Sequence, residues 1–166
     1  LDADGLNILA MHPQWMKFLG EQTILTPHMG EMSRLCGLDV SELKEDPVAR
    51  AYQYAEKSGG VLVLKDACTV VTDQNEKLYL NLSGNSGMAT AGSGDVLSGI
   101  IAAVLCMYLS CEEEQELSYK AALAVYIHGL CGDIAREKKG SHGMTAKDMI
   151  EALPEVLKLA EVQSKG

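Results

Sequence analysis

One segment of the sequence, GNSGMATAGSGDVLSGIIAAVL at residues 84–105, limits the possible folds of this chain more than any other. Its glycines recur up to Gly94, a single carboxylate follows at Asp95, and a mostly apolar run comes next. Glycine costs about 0.5–1 kcal/mol relative to alanine inside a regular element, so clustered glycines indicate a backbone with a special conformation. The apolar run predicts a buried helix over Asp95–Leu109, directly after that backbone.

The start of this helix predicts an anion site. The first N–H groups of a helix have no intrahelical acceptor, and together with the helix dipole they attract negative charge. Gly92 and Gly94 would let the backbone approach a phosphate without a Cβ in the way. Asp95 then has two interpretations: it stabilises the helix dipole, or it is a general base beside the anion site. The segment is neither a Walker loop nor a dinucleotide fingerprint, because no GxxxxGK[ST] and no strand-linked GxGxxG occurs.

The remaining pattern predicts an α/β protein, since strand and helix signals alternate in the first half of the chain. About five short strands are expected. Four of them are predicted over Thr23–His28, Val61–Lys65, 69–72 and 78–81, the last two as a hairpin, and a strand end is expected near Asp2. Helices are predicted over Gly30–Cys36, Pro47–Lys57, Asp95–Leu109 and Ser118–Lys138. Thr145–Asp148 resembles a capping box, and Pro154 is expected to kink or break the helix that follows it.

Composition excludes several classes of partner. A length of 166 residues suggests a single domain over 1–166, and a net charge of −9 argues against nucleic-acid binding. Five cysteines without a CxxC pair indicate reduced, mostly buried thiols in a cytoplasmic protein. The apolar run is too short for a bilayer, so no membrane is expected. Because the chain begins with LDADGLN and has no initiator Met, we expect that an N-terminal portion is missing.

Five segments, in this order along the chain, resemble the ribokinase-like NAD(P)H-hydrate dehydratase family. They are LDADGLN, LTPHMGEMSRL (residues 25–35), VLKDACTVV, NSGMATAGSGDVLSGIIAA and AVYIHGLCGD, and the resemblance runs from about Leu1 to Leu153. It implies a ribokinase-like three-layer α/β/α sandwich, of which this chain would form the C-terminal two-thirds. It also implies that ADP or ATP with Mg²⁺ drives dehydration of the (S)-hydrates of NADH and NADPH, through phosphorylation of the ring hydroxyl and elimination of phosphate. The implied assembly is a homo-oligomer, with an epimerase either fused or separate.

The resemblance also implies the site residues. Asp95 would be the base acting on the hydroxyl of the hydrate, and Gly92 and Gly94 would belong to the anion hole. His28 would contact the substrate, and Glu31 would organise the phosphate and Mg²⁺ region. The nucleotide would be bordered by Lys65, Asp66, Ala67, Cys68 and Thr69, and by Asn85, Ser86, Gly87, Met88, Ala89, Thr90, Ala91, Gly92, Ser93 and Gly94. Ser86 replaces a common proline of the family and Asp66 a common glycine.

Each of these residues also has a purely structural interpretation. His28 could be a loop histidine satisfied by backbone groups, Glu31 an exposed residue of a first helical turn, and Lys65 a solvated strand-end lysine. Small residues at 129–132 would allow close helix packing. At the level of function, a ribokinase-like sugar or vitamin kinase and a nucleotide-binding fragment without turnover remain alternatives. The stretch TPHMGEMSRL favours the dehydratase, because it is not general to sugar kinases.

Overall fold

The computed structural model describes residues 1–109 and 115–163, with side chains up to 159. Its helices are α1 Asp4–Met11, α2 Met29–Cys36, α3 Val40–Glu45, α4 Pro47–Ser58, α5 Ser93–Tyr108, α6 Leu117–Lys139 and α7 Ala146–Gln163. Its strands are β1 Ile24–Leu25, β2 Val61–Leu64, β3 Thr69–Thr72 and β4 Leu78–Asn81, and short 3₁₀ helices cover Pro13–Phe18 and Ser86–Met88. The α/β class predicted from the sequence is confirmed.

The described residues form two compact units. The first contains residues 1–81 and 115–122, and the second contains residues 82–109 and 123–163. This division concerns compactness alone, so the single domain expected over 1–166 stays a prediction. Among the described residues, no helix combines the length and apolar character that crossing a membrane requires.

The first unit is built around a four-stranded sheet in the order β1-β2-β3-β4. β1 and β2 are parallel, whereas β2–β3 and β3–β4 are antiparallel, which confirms the predicted hairpin. All four residues of β2 are buried, as expected for a strand that is covered on both faces. β1 is shorter than predicted, but the pairing continues beyond it as a bridge between His28 and Lys65.

The strand end expected near Asp2 is reduced to the pairing of one residue. Leu1 donates its N–H to Ile24 O at 2.7 Å, and its carbonyl accepts the N–H of Thr26 at 3.1 Å. These two bonds place Leu1 beside β1 without forming a strand, so the described part of the chain has four strands instead of five.

Helices α1, α2 and α4 bury apolar side chains in the core of the first unit. Leu6, Met32, Leu62 and Leu64 belong to this core, together with Tyr54. The Tyr54 hydroxyl has no hydrogen-bond partner among the described residues, and burial raises the pKa of this tyrosine. The core therefore includes one buried hydroxyl that makes no hydrogen bond with the described residues.

The second unit packs α5, α6 and α7 around a smaller apolar core that includes Cys131, Met144 and Met149. Helix α7 continues through Pro154, so of the expected kink or break the break is wrong, and the kink stays a prediction. Asp148 accepts hydrogen bonds from the N–H and the hydroxyl of Thr145, each at 2.7 Å, and this stabilises the start of α7 as predicted.

The thiols are less buried than expected. Cys131 is buried and Cys36 half-buried, but Cys68 and Cys106 are exposed, and all four are free. The prediction of mostly buried thiols is therefore wrong for the described cysteines. Cys111 lies outside the described residues.

Candidate active site

The glycine-rich segment of the second unit begins against helix α6. Asp133, on α6, accepts the N–H of Gly84 through Oδ2 at 2.9 Å and the side-chain amide of Asn85 through Oδ1 at 3.1 Å. The same Asn85 amide donates to Gly132 O at 2.9 Å, and Asn85 Oδ1 accepts the N–H of Gly87 at 3.0 Å. The start of the segment is thus held by one carboxylate and one amide.

Two glycines of α6 allow this close approach. A Cβ on Gly129 would collide with the side chain of Ser83, and a Cβ on Gly132 would collide with that of Met88. The small residues at 129–132 were expected to allow close helix packing. The neighbour they admit is the segment of residues 83–88, which is a loop with a 3₁₀ turn and not a helix.

Helix α5 begins at Ser93, two residues earlier than predicted, because Gly92 adopts a left-handed conformation (φ 86°) as its N-cap. Ser93 donates to Thr90 O and Val96 donates to Gly92 O, while no side chain caps the helix. The N–H groups of Gly94 and Asp95 have no acceptor within the helix, as the geometry of a first turn requires. Asp95 lies in this first turn with an exposed side chain.

In the first unit, His28 and Glu31 cap the start of helix α2 together. His28 Nδ1 accepts the N–H groups of Gly30 (3.0 Å) and Glu31 (3.3 Å), and Glu31 Oε2 accepts the N–H of His28 at 2.8 Å. An accepting Nδ1 assigns the ring proton to Nε2, which lies 3.5 Å from Glu31 Oε1. The His28 side chain is 53% exposed, whereas that of Glu31 is almost completely buried.

Lys65 forms ion pairs with Asp2 and with Glu31, which belongs to this cap. Its Nζ lies 2.9 Å from Asp2 Oδ1 and 4.0 Å from Glu31 Oε2. The side chains of Lys65, Asp2 and Glu31 are 20%, 21% and 7% exposed. The interpretations of Lys65 as a solvated lysine and of Glu31 as an exposed residue are therefore wrong.

The Asp2 carboxylate responds to two opposing effects. Its burial would raise its pKa, but the hydrogen bond and positive charge of Lys65, together with hydrogen bonds from Ala3 and Thr26, outweigh burial and hold the pKa below its ordinary value of 3.8. Asp2 therefore stays ionised beside Lys65.

The predicted residues of the 65–69 segment also lie in the first unit. Asp66, Ala67 and Cys68 form an exposed turn between β2 and β3, and Thr69 begins β3. The first unit therefore brings together His28, Glu31 and the 65–69 turn, while the second unit brings together residues 85–95. The binding and catalytic roles given to all these residues stay predictions.

Sequence reasoning missed Asp2 and Asp133 as individual residues. Asp133 ends the stretch AVYIHGLCGD, where it is the lone carboxylate among apolar and small residues of α6. A charged residue in such surroundings needs a partner, because isolated buried charge is costly. That signal pointed to a partner but not to which residue.

Comparison with known proteins identifies the relatives of this chain. The bifunctional NAD(P)H-hydrate repair enzyme Nnr of Thermofilum pendens is 43% identical over 158 residues, which cover 95% of this chain and 29% of that protein. The ADP-dependent (S)-NAD(P)H-hydrate dehydratase of Neisseria meningitidis is 36% identical over 155 residues, covering 92% of this chain and 50% of that protein. The chain thus spans less than a third of the bifunctional relative and half of the dehydratase.

Solved structures give the same result for the fold. The ADP/ATP-dependent NAD(P)H-hydrate dehydratase of Bacillus subtilis, co-crystallised with ATP/Mg²⁺, matches with a TM-score of 0.73 at 34% identity, over 84% of this chain and 51% of that one. A ribokinase-like superfamily protein of Enterococcus faecalis matches with a TM-score of 0.75 at 29% identity, over 95% and 51% of the two chains. The ribokinase-like class predicted for the fold is therefore confirmed. The model of the NAD(P)H-hydrate dehydratase family matches residues 1–155, and the chain belongs to that family.

Proposed function

We propose that this chain carries the ADP- or ATP-dependent dehydration of the (S)-hydrates of NADH and NADPH. The observation that carries the proposal is the start of helix α5, where Gly92 leaves the first turn without a side-chain cap and Asp95 stands in that turn. Open N–H groups at a helix start bind phosphate, and a neighbouring carboxylate can accept the proton of a hydroxyl. Family membership adds that relatives are named for this reaction.

The residues of the second unit would share the work as follows. Of the N–H groups of residues 91–94, those of 91, 92 and 94 would hold the transferred phosphoryl group and stabilise its charge, since that of Ser93 already donates to Thr90 O. Asp95 would take the proton from the ring hydroxyl. A bound ADP or ATP would supply the phosphoryl group that converts this hydroxyl into a phosphate, which leaves far more readily than hydroxide does. The backbone of residues 85–90 would line the phosphates of the nucleotide.

Gly87 and Gly92 are positions at which the fold itself requires glycine. A Cβ on Gly87 would lie 2.7 Å from Ser141 O, and Gly92 has a left-handed φ of 86°, so neither position accommodates a side chain. The first unit would contribute the Nε2–H of His28 as a donor to the substrate, and the 65–69 turn would border the nucleotide.

The donor set suits a magnesium ion that arrives with a nucleotide. Among the residues that the structure describes, no three His, Cys, Asp or Glu side chains converge to hold a metal. Mg²⁺ commonly binds through one or two carboxylates together with the phosphates of its substrate. Glu31 would be such a carboxylate, oriented by the N–H of His28 and by Lys65.

We further propose a cytoplasmic enzyme that assembles as a homo-oligomer and works with an epimerase, fused or separate. The bifunctional names of the Nnr relatives support the link to a second activity.

The proposal is tested by the recovery of reduced-nicotinamide absorbance from hydrated NADH with Mg²⁺ and either ADP or ATP. The assay compares this chain with a version extended at its N-terminus to the length of the Neisseria relative. Recovery that needs the nucleotide would support the dehydratase. Failure in the extended version would contradict it, and a stable phosphorylated product from a sugar or vitamin alcohol would then favour a kinase. Binding of ADP without any turnover would favour the nucleotide-binding module.

The role of Asp95 has its own test. Asp95→Asn should abolish turnover without weakening ADP binding or changing the circular-dichroism spectrum, because the amide keeps the size of the carboxyl group but accepts no proton. Glu137→Gln, an exposed position on α6, is the matched control for the change of charge. Equal activity of the Asp95 and Glu137 variants would remove Asp95 from the mechanism.

A further inference from the structure

We propose that Asp133 is a positioning residue that fixes the glycine-rich segment 84–94 in the conformation that receives a nucleotide phosphate. The inference rests on the proposed function, since it assigns a role within the same phosphate site. It adds a residue on α6 that lies 48 positions from its side-chain partner Asn85.

The hydrogen bonds of Asp133 and Asn85 form a continuous chain. One carboxylate oxygen of Asp133 accepts the N–H of Gly84, and the other accepts the amide of Asn85. The opposite end of the Asn85 side chain accepts the N–H of Gly87, inside the 3₁₀ turn Ser86–Met88. The conformation of three loop positions, 84, 85 and 87, is therefore tied to one side chain of α6.

The negative charge of Asp133 distinguishes a positioning role from a purely electrostatic one. A carboxylate near an anion-binding loop repels the anion, so electrostatics alone would favour a neutral residue here. A carboxylate is nevertheless the group that can accept two hydrogen bonds from donors that approach its two oxygens. Gly84 has a φ of 98°, a left-handed conformation that the bond from its N–H to Asp133 helps to hold. Affinity gained by holding a loop in its bound conformation outweighs a modest repulsion.

The test uses Asp133→Asn, which removes the charge and turns one acceptor into a donor. The amide nitrogen of the new side chain would face either the N–H of Gly84 or the amide of Asn85, so one hydrogen bond is lost. Glu137→Gln is the matched control, because it removes the same charge from the same helix at an exposed position. ADP binding is measured by calorimetry on the whole chain, with fold and stability followed by circular dichroism.

The two explanations predict opposite signs. If Asp133 acts only through its charge, Asp133→Asn binds ADP more tightly than the unsubstituted chain does. If Asp133 positions the loop, binding weakens about tenfold or more, because the loop must be ordered again at the cost of affinity. Glu137→Gln should stay within about twofold, as expected for a screened surface charge. Unchanged or tighter binding by Asp133→Asn would overturn the proposal.

A second measurement separates this inference from the proposed function. Amide hydrogen exchange at Gly84 and Gly87 is followed by NMR without nucleotide. Asp133→Asn should accelerate exchange at both amides by about tenfold or more, as expected for the loss of a hydrogen bond to a charged group, while Glu137→Gln leaves it unchanged. If neither the unsubstituted chain nor its extended version binds ADP, the proposed function fails and the exchange result alone decides whether Asp133 holds the loop. Unchanged exchange at Gly84 would overturn the positioning role.

Discussion

Replacing Lys65 with methionine would leave two carboxylates without their cation. Lys65 Nζ lies 2.9 Å from Asp2 and 4.0 Å from Glu31, and Glu31 is almost completely buried. Methionine preserves an unbranched side chain of similar length, so packing changes little and the loss of charge dominates. We expect Lys65→Met to reduce the free energy of unfolding substantially.

The magnitude follows from the burial of the three side chains. Removing one partner of a buried ion pair costs about 3–5 kcal/mol, because the remaining charge stays buried without compensation. Lys65 and Asp2 each keep about a fifth of their surface exposed, which moves the expected cost to about 2–3 kcal/mol. Asp2→Asn should cost less, about 1–2 kcal/mol, since Lys65 retains Glu31 as a neighbour.

Urea unfolding monitored by circular dichroism would measure these costs, with Lys44→Met as the control. Lys44 is exposed on α3, so its loss should change stability by less than about 0.5 kcal/mol.

The pH dependence of stability gives a further check on the ion pair. Burial raises the pKa of Asp2, but Lys65 and the hydrogen bonds from Ala3 and Thr26 together lower it more, so the folded value lies below the unfolded one. The stability that Asp2 contributes is then fully present above the unfolded pKa and lost as the pH falls through the folded pKa.

The difference in stability between the unsubstituted chain and Asp2→Asn should therefore be constant from neutral pH down to about pH 5 and shrink below about pH 4. The double variant of Asp2 and Lys65 completes a thermodynamic cycle. A coupling energy indistinguishable from zero, or a cost of Lys65→Met no larger than that of Lys44→Met, would refute the reasoning. In that case the ion pair would be an incidental contact.

Three further substitutions test separate features. Tyr54→Phe should raise the free energy of unfolding by about 1 kcal/mol, since it removes a buried hydroxyl without a partner among the described residues, and a clear loss in urea would contradict this. Gly92→Ala and Gly37→Ala each put a Cβ on a left-handed residue (φ 86° and 68°) and should cost about 1–2 kcal/mol, but calorimetry should find weaker ADP binding for Gly92→Ala alone. His28→Asn keeps an acceptor at the start of α2, so thermal unfolding should place it well above His28→Ala, which loses about 1 kcal/mol; equal losses would show that Nδ1 does not cap the helix.

Local features of this fold could be predicted from the sequence because local interactions determine them. The hairpin of β3 and β4 follows from two short strand-forming runs on either side of a polar turn, and Asp73 stabilises that turn by accepting the N–H groups of Asn75 and Lys77. The start of α5 was placed two residues late, because the left-handed conformation of Gly92 leaves no trace in hydrophobic periodicity.

The long-range contacts of the site could not be predicted in the same way. Asp2 and Lys65 are 63 positions apart, and Asn85 and Asp133 are 48 apart. No pattern in a single sequence specifies which distant polar groups meet, since each pairing depends on how the elements between them pack. The family motifs contain all four residues, but which of them are in contact is visible only in the structure.

The close approach between α6 and the segment of residues 83–88 has a consequence for how this chain can vary. Gly129 faces Ser83, and Gly132 faces Met88, with no room for a methyl group at either contact. Gly132 and the side chain of Met88 therefore share a fixed volume, and enlarging one requires shrinking the other, whereas a Cβ on Gly129 would also meet the backbone of Ser83. Gly132→Ala should be tolerated only together with a smaller residue at position 88, so these positions should change in pairs among functional variants. A library that randomises the two positions together would recover such compensated combinations, although more than forty residues separate them.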